Sequence, residues 1–174
     1  MKVINLGFVM KIPILHLENG LHHFEGTIKA GTFHFYHDEN FPNDIEVKIE
    51  LNKFDKNMTC SVELNTEAEY ICDRCLSRFK REHSGSFEVL FHLGPKDFET
   101  DEDDVIMLSP EQKEIDLNSN IQENLALSVP MKALCREDCK GICPGCGADL
   151  NHENCTCGDK PADPRWEKLL ELKK

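Results

Sequence analysis

The sequence predicts an α+β protein: a mainly antiparallel β domain with a packed helix, followed by a cysteine-rich segment that ends in a short helix. Three observations carry this. Apolar residues alternate with polar ones over several stretches before residue 95. A single 3.6-residue apolar stripe appears only after residue 115. Eight of the nine cysteines come as four close pairs, three of them packed between residues 135 and 157.

The strands come first. Phe24 to Ala30 alternates loosely, and Ile45 to Phe54 places Ile45, Val47, Ile49 and Leu51 on one face. Asp55-Lys56-Asn57 reads as a hairpin turn into a strand from Met58 to Ile71. Ser84 to Leu93 puts Phe87, Val89 and Phe91 on one side. Half-buried alternation of this kind is the signature of antiparallel sheet. The run Asp97–Asp104 holds six carboxylates and no cation, half of the formal net charge of −12, and reads as a solvated loop.

The helix is predicted over about 116–129. Asp116 is the expected cap, and Leu117, Ile121 and Leu125 form the apolar stripe. Pro130 ends it. The expected domains are therefore 1–130 and 131–174. The second contains cysteine-rich coil and a closing helix, for which Asp163 is the cap, Pro164 the first residue, and Trp166, Leu169 and Leu170 the apolar face.

Composition excludes several classes. No stretch approaches eighteen apolar residues, so no membrane helix is expected. The N-terminal stretch carries Lys11 and lacks a small-residue cleavage site, so export is not expected and a cytoplasmic location is. In a reducing compartment, paired cysteines favour metal over disulfides. A chain at −12 does not coat nucleic acid through bulk charge, although a local basic face can still do so.

The pairs are Cys72/Cys75, Cys135/Cys139, Cys143/Cys146 and Cys155/Cys157. Thiolate is the preferred ligand of structural zinc, and four close a tetrahedron with no open position. Four pairs therefore predict two structural Zn2+ sites. Cys143-Pro144-Gly145-Cys146-Gly147 is the most specific block, because its glycines let backbone N–H groups turn toward sulfur. The short span from Cys146 to Cys155 favours a site made of the last two pairs. Cys72 and Cys75 would then meet Cys135 and Cys139, the intervening helix spanning roughly 20 Å at about 1.5 Å per residue. The alternative groups Cys135, Cys139, Cys143 and Cys146. Other readings are an iron–sulfur cluster, whose usual spacings are absent, and a redox pair at Cys72/Cys75, which lacks its βαβ setting. His152 reads as a surface histidine, and Cys60, inside a strand pattern, as a small buried hydrophobe.

With these blocks in view, the chain resembles the YceD family of large ribosomal RNA subunit accumulation proteins. The resemblance lies in Cys72-Asp73-Arg74-Cys75-Leu76 with Phe79, Ile115-Asp116-Leu117 with Glu123 and Leu125, and Val129-Pro130. It continues from Leu134 through Gly147, then Leu150-Asn151, Cys155-Thr156-Cys157 and Asp163-Pro164-Arg165-Trp166. It implies a role in making or keeping large-subunit rRNA, through rRNA, a ribosomal protein or a pre-ribosomal particle. Some relatives keep the first pair and lack the Cys-Pro-x-Cys-Gly block, which implies separate sites. No chemical activity comes with it.

The residues themselves point to no enzyme. There is no Gly-rich phosphate loop, no Gly-x-Ser-x-Gly elbow and no His-Glu-x-x-His, and a fully thiolate-bound zinc keeps no water to activate. No small-molecule substrate is expected. The competing readings are a zinc-stapled interaction adaptor outside ribosome assembly and a redox-regulated zinc protein. For partner contact the sequence offers Arg74, Arg78, Lys80 and Arg81 around Phe79, with Lys132, Arg136 and Lys140 beside the second pair. Arginine can grip phosphate in a bidentate pair, and an aromatic can stack on an unpaired base.

Overall fold

The computed structural model describes residues 3–6, 10–94 and 105–158. The acidic run 97–104 and the helix expected after Asp163 lie outside them. The chain divides into two compact units, residues 1–70 with 80–131 and residues 71–79 with 132–174. The chain thus passes between the units at three points, and the first cysteine pair falls in the same unit as the other three.

The first unit is built on a six-stranded sheet in the order β1-β3-β4-β5-β6-β7. Its strands are β1 (Val3–Leu6), β3 (Gly20–Ile28), β4 (Ile45–Phe54), β5 (Asn57–Ile71), β6 (Arg78–Leu93) and β7 (Val105–Leu108). β5 and β6 run on past Tyr70 and Lys80 into the second unit. β3, β4 and β5 pair antiparallel, with Phe24 opposite Ile49 and Ile49 opposite Val62. Strict alternation on β4 buries Ile45, Val47, Ile49 and Leu51, each at most 5% exposed. Cys60 on β5 faces Leu51 and is wholly buried; burial, helped by the charge of Glu88, pushes its thiol up to about 12. It behaves as a core residue.

The sheet is mainly antiparallel, as expected, with two parallel pairings at its edges. β1 runs parallel to β3, and β7 runs parallel to β6, so the sheet is mixed. Strand alternation reports which face is buried and says nothing about the direction of the neighbour. A second, two-stranded sheet also forms, pairing β2 (Lys11–Pro13) with β8 (Glu114–Asp116). Its members have only three residues each, too few for alternation to stand out.

The helix α1 spans Asn118–Ser128. Leu117, Ile121 and Leu125 are fully buried, as the stripe requires. The cap differs from expectation. Asp116 closes β8, Leu117 occupies the position before the helix, and the Asp116 carboxylate accepts the Asn118 N–H at 2.9 Å. Val129 is extended (ψ 122°) because proline follows, and this ends the helix. Ser128 Oγ meets His83 Nε2 at 2.9 Å, and Tyr70 lies 3.4 Å from the other ring nitrogen.

Candidate metal centres

All four cysteine pairs fall in the second unit, and they form two groups. Cys72, Cys75, Cys135 and Cys139 are one; Cys143, Cys146, Cys155 and Cys157 are the other. Within each group all four sulfurs lie within 4.8 Å of one another. None of the nine cysteines is in a disulfide.

Each group starts from a tight turn. In the first, Cys72 N–H donates to the Ser77 carbonyl and Leu76 N–H donates back to the Cys72 carbonyl, both at 2.9 Å. Leu76 takes φ 59°, a left-handed conformation uncommon for leucine. In the second, Gly147 N–H donates to the Cys143 carbonyl at 2.9 Å, and Gly147 takes φ 77°. The two turns are the same device, with glycine at the left-handed position of one and leucine at that of the other. Gly145 is fixed by packing: a Cβ there would stand 2.7 Å from Cys157 Sγ.

The pairs are then brought together by backbone and side-chain bonds. Asp73 N–H donates to the Ala133 carbonyl at 2.8 Å, and its carboxylate accepts the Ala133 N–H at 2.6 Å. This double pairing sets Cys135 beside Cys75, sulfur to sulfur 3.7 Å, and Cys139 beside Cys72 at 3.9 Å. For the second group, Cys143 N–H bonds the Ala148 carbonyl, and Ile142 bridges to Asp149. This short ribbon turns the chain so that Cys155 Sγ lies 3.3 Å from Cys143 Sγ and 3.8 Å from Cys146 Sγ.

The electrostatics divide each group. Backbone N–H groups of Cys135, Cys75 and Arg74 aim at Cys72 and lower its thiol to about 6. Those of Cys146 and Gly145 do the same for Cys143, also to about 6. Cys135 is pushed up to about 12, by burial first and then by the neighbouring thiols. Cys157 is pushed up to about 12 chiefly by its contacts with Cys146 and Cys155. Four adjacent sulfurs resist becoming four adjacent thiolates unless a cation stands among them. The donor set also fits zinc in size. Tetrahedral bonds of about 2.3 Å place sulfurs roughly 3.8 Å apart; the closest sulfur pairs lie 3.3 to 3.9 Å apart, and all four of each group lie within 4.8 Å. Four sulfurs and no oxygen or nitrogen ligand make a closed, soft site.

His152 stands outside both groups, exposed, with Nε2 3.9 Å from Asp149. Two contributors escaped the sequence reading. Ser77 Oγ lies 3.0 Å from Cys75 Sγ, and Asn151 Nδ2 lies 3.5 Å from Cys139 Sγ. Nothing in their types or spacing marked them; only the folded turn brings them to sulfur.

The basic residues separate by what they touch. Arg74, Arg78, Lys132, Arg136 and Lys140 belong to the second unit, while Lys80 and Arg81 belong to the first. Arg74 donates to the carbonyls of Glu137 (3.1 Å) and Cys139 (2.7 Å), so it ties the first group together. Arg136 pairs with Asp138 and bonds Asn151. Lys80 pairs with Glu67 at 2.7 Å and Glu69 at 3.4 Å, which raises its pKa. Burial raises the Tyr70 hydroxyl, and Arg81 lies close enough for its charge to offset part of that. Arg78, Lys132 and Lys140 are exposed and make no ion pair among the described residues.

Comparison with known proteins agrees with the site. The sequence model of the family described as "Large ribosomal RNA subunit accumulation protein YceD" matches residues 60–173, which include all eight paired cysteines. A chloroplastic protein of Arabidopsis thaliana, named large ribosomal RNA subunit accumulation protein YCED homolog 1, is 37% identical over 73 residues. That alignment covers 42% of this chain and 23% of the relative. An uncharacterised protein of Mycobacterium bovis is 33% identical over 131 residues, covering 74% of this chain and 61% of the relative. The chain thus spans less than two thirds of both relatives. No solved structure matches. Among the described residues no helix is long and apolar enough to cross a membrane. The chain belongs to the YceD family, whose description is large ribosomal RNA subunit accumulation protein.

Proposed function

We propose that this protein is a non-enzymatic ribosome-biogenesis factor of the cytosol. In this reading two structural zinc ions hold its second unit in shape, and that unit contacts the large-subunit precursor through rRNA or a ribosomal protein. The observation that carries it is the pairing of family membership with two closed four-cysteine groups in one compact unit. A closed thiolate site staples and shapes; it offers no open position for a reacting water.

The charge pattern supports contact by that unit. The whole chain stands at −12, yet residues 71–79 and 132–158 carry five cations against five carboxylates. Each four-thiolate zinc adds a net −2 there, so contact with phosphate depends on particular side chains rather than on the field of the unit. Arg78, Lys132 and Lys140 are the uncommitted cations, whereas Arg74 and Arg136 are occupied in holding the unit. Arg78→Glu with Lys132→Glu is therefore expected to weaken co-sedimentation with large-subunit precursors and, where the partner is RNA, to make its dependence on salt shallower, leaving two zinc ions bound. Crosslinking in cells identifies the partner as RNA or protein. Depletion is expected to lower the ratio of large- to small-subunit rRNA, and an unchanged ratio contradicts the proposal.

A further inference from the structure

The two cysteine groups share a side chain. Asn151 sits in the segment that joins Cys146 to Cys155, the two ligand pairs of the second group. Its Nδ2 reaches out of that segment to Cys139 Sγ of the first group at 3.5 Å, and also donates to Asp149 Oδ1 at 2.7 Å. Its Oδ1 accepts the Lys140 N–H and the Arg136 guanidinium, both at 2.8 Å. Its own N–H donates to Asp149 Oδ1 at 2.9 Å. Every polar atom of the side chain is thus spent on holding the approach to Cys139 against the loop of the second group.

A backbone link runs beside it. Ile142 N–H donates to the Arg74 carbonyl at 3.0 Å, so the residue before Cys143 hangs from the turn of Cys72 and Cys75. Gly141 makes that approach possible, since a Cβ there would stand 2.9 Å from the same carbonyl oxygen. Ordering the first group therefore places both ends of the second: Ile142 ahead of Cys143, and Asn151 ahead of Cys155.

We propose that the two metal sites are positively coupled, and that Asn151 is the positioning residue that couples them. Metal in the first group fixes Cys139, Cys139 fixes Asn151, and the loop of the second group is then already shaped when its ion arrives. Linkage makes the effect reciprocal, so an ion in the second group raises the affinity of the first by the same factor, on the order of 5- to 150-fold for couplings of this kind. A donor that orients a ligand sulfur is itself worth about 10- to 100-fold in metal affinity. The inference rests on the reading of both groups as metal sites, and the test separates the two.

The full reduced chain is stripped of metal, and zinc is returned at one equivalent through an exchanging chelator. Native mass spectrometry then counts chains carrying zero, one and two ions. Coupled sites of similar intrinsic affinity leave the singly loaded chain a minority, whereas independent sites make it the commonest species whatever their individual affinities. Asn151→Ala is expected to turn the singly loaded chain into the majority while still taking two ions at saturation. Asn151→Asp keeps the oxygen that accepts from Lys140 and Arg136 but replaces the donor to Cys139 with a carboxylate, and it is expected to behave like Asn151→Ala. Wild-type protein that is mostly singly loaded, together with a second-group affinity unchanged by Cys72→Ser with Cys75→Ser, overturns the coupling. Coupling unchanged in Asn151→Ala, or restored in Asn151→Asp, overturns the role of the Asn151 donor. Fewer than two ions in wild-type protein at saturation overturns the metal reading itself.

Discussion

The two units of this chain solve the problem of staying folded by different means. In the first, the interior holds Phe24, Ile28, Ile49, Leu51, Val62, Leu64, Ile121 and Leu125, all at most 2% exposed. In the second, the buried residues among those described are Cys72, Cys139, Gly141 and Cys143. Three thiols and a glycine do not make a hydrophobic core. Among the described residues the four-cysteine groups stand where a core would be, and a segment held in that way depends on a staple. The difference matters for the proposed function, in which the sheet unit holds itself by apolar burial and the cysteine unit, held by metal, presents its surface for contact.

This comparison is most severely strained by removing one staple. Cys72→Ser with Cys75→Ser is expected to cost one zinc ion and to loosen residues 71–79 and 132–140, while the β3–β5 sheet keeps its protection in hydrogen exchange. Melting of the sheet together with the loop would show that the units are not separate in stability. The converse variant is Leu64→Ala. It removes a buried side chain from β5 and is expected to destabilise the sheet by about 2–5 kcal/mol, with two ions still bound by elemental analysis. A finer cut lies inside the second unit. Gly145→Ala drives a Cβ against Cys157 Sγ, so the second group should lose metal affinity, read by chelator competition, while the first keeps its own. The smallest effect is expected at Leu76, which is 63% exposed and bends left-handed where the matching turn has Gly147. Leu76→Gly should relieve strain of about 1 kcal/mol and leave first-group affinity equal or slightly higher.

Much of this architecture can be read before folding, and the reasons it stops are physical. The bounds of β4 follow from Ile45, Val47, Ile49 and Leu51, because a strand with one wet face writes its period into the sequence. Leu117, Ile121 and Leu125 announce the helix in the same way. The division of the cysteines follows from chain-closure distance, a local quantity. What remains hidden is set by distant partners. The parallel pairing of Val3–Leu6 with β3 depends on a return path that alternation does not encode. Arg74 reads as a free cation, and only the folded turn shows it bound to two carbonyls. Asn151 stands in the sequence only as part of the family resemblance, and its contact with Cys139 exists only once two ligand pairs have met.

In the proposed reading metal, rather than apolar burial, orders the second unit. Hydrogen exchange of the full reduced protein, measured before and after zinc is removed by a chelator, tests that directly. The account predicts two zinc ions per chain at the start. On their removal, the amides of Leu76, Cys139, Ile142, Cys143 and Gly147 should lose protection while those of β3, β4 and β5 keep theirs. A second unit that stays protected without metal, or a chain that never held two ions, contradicts it.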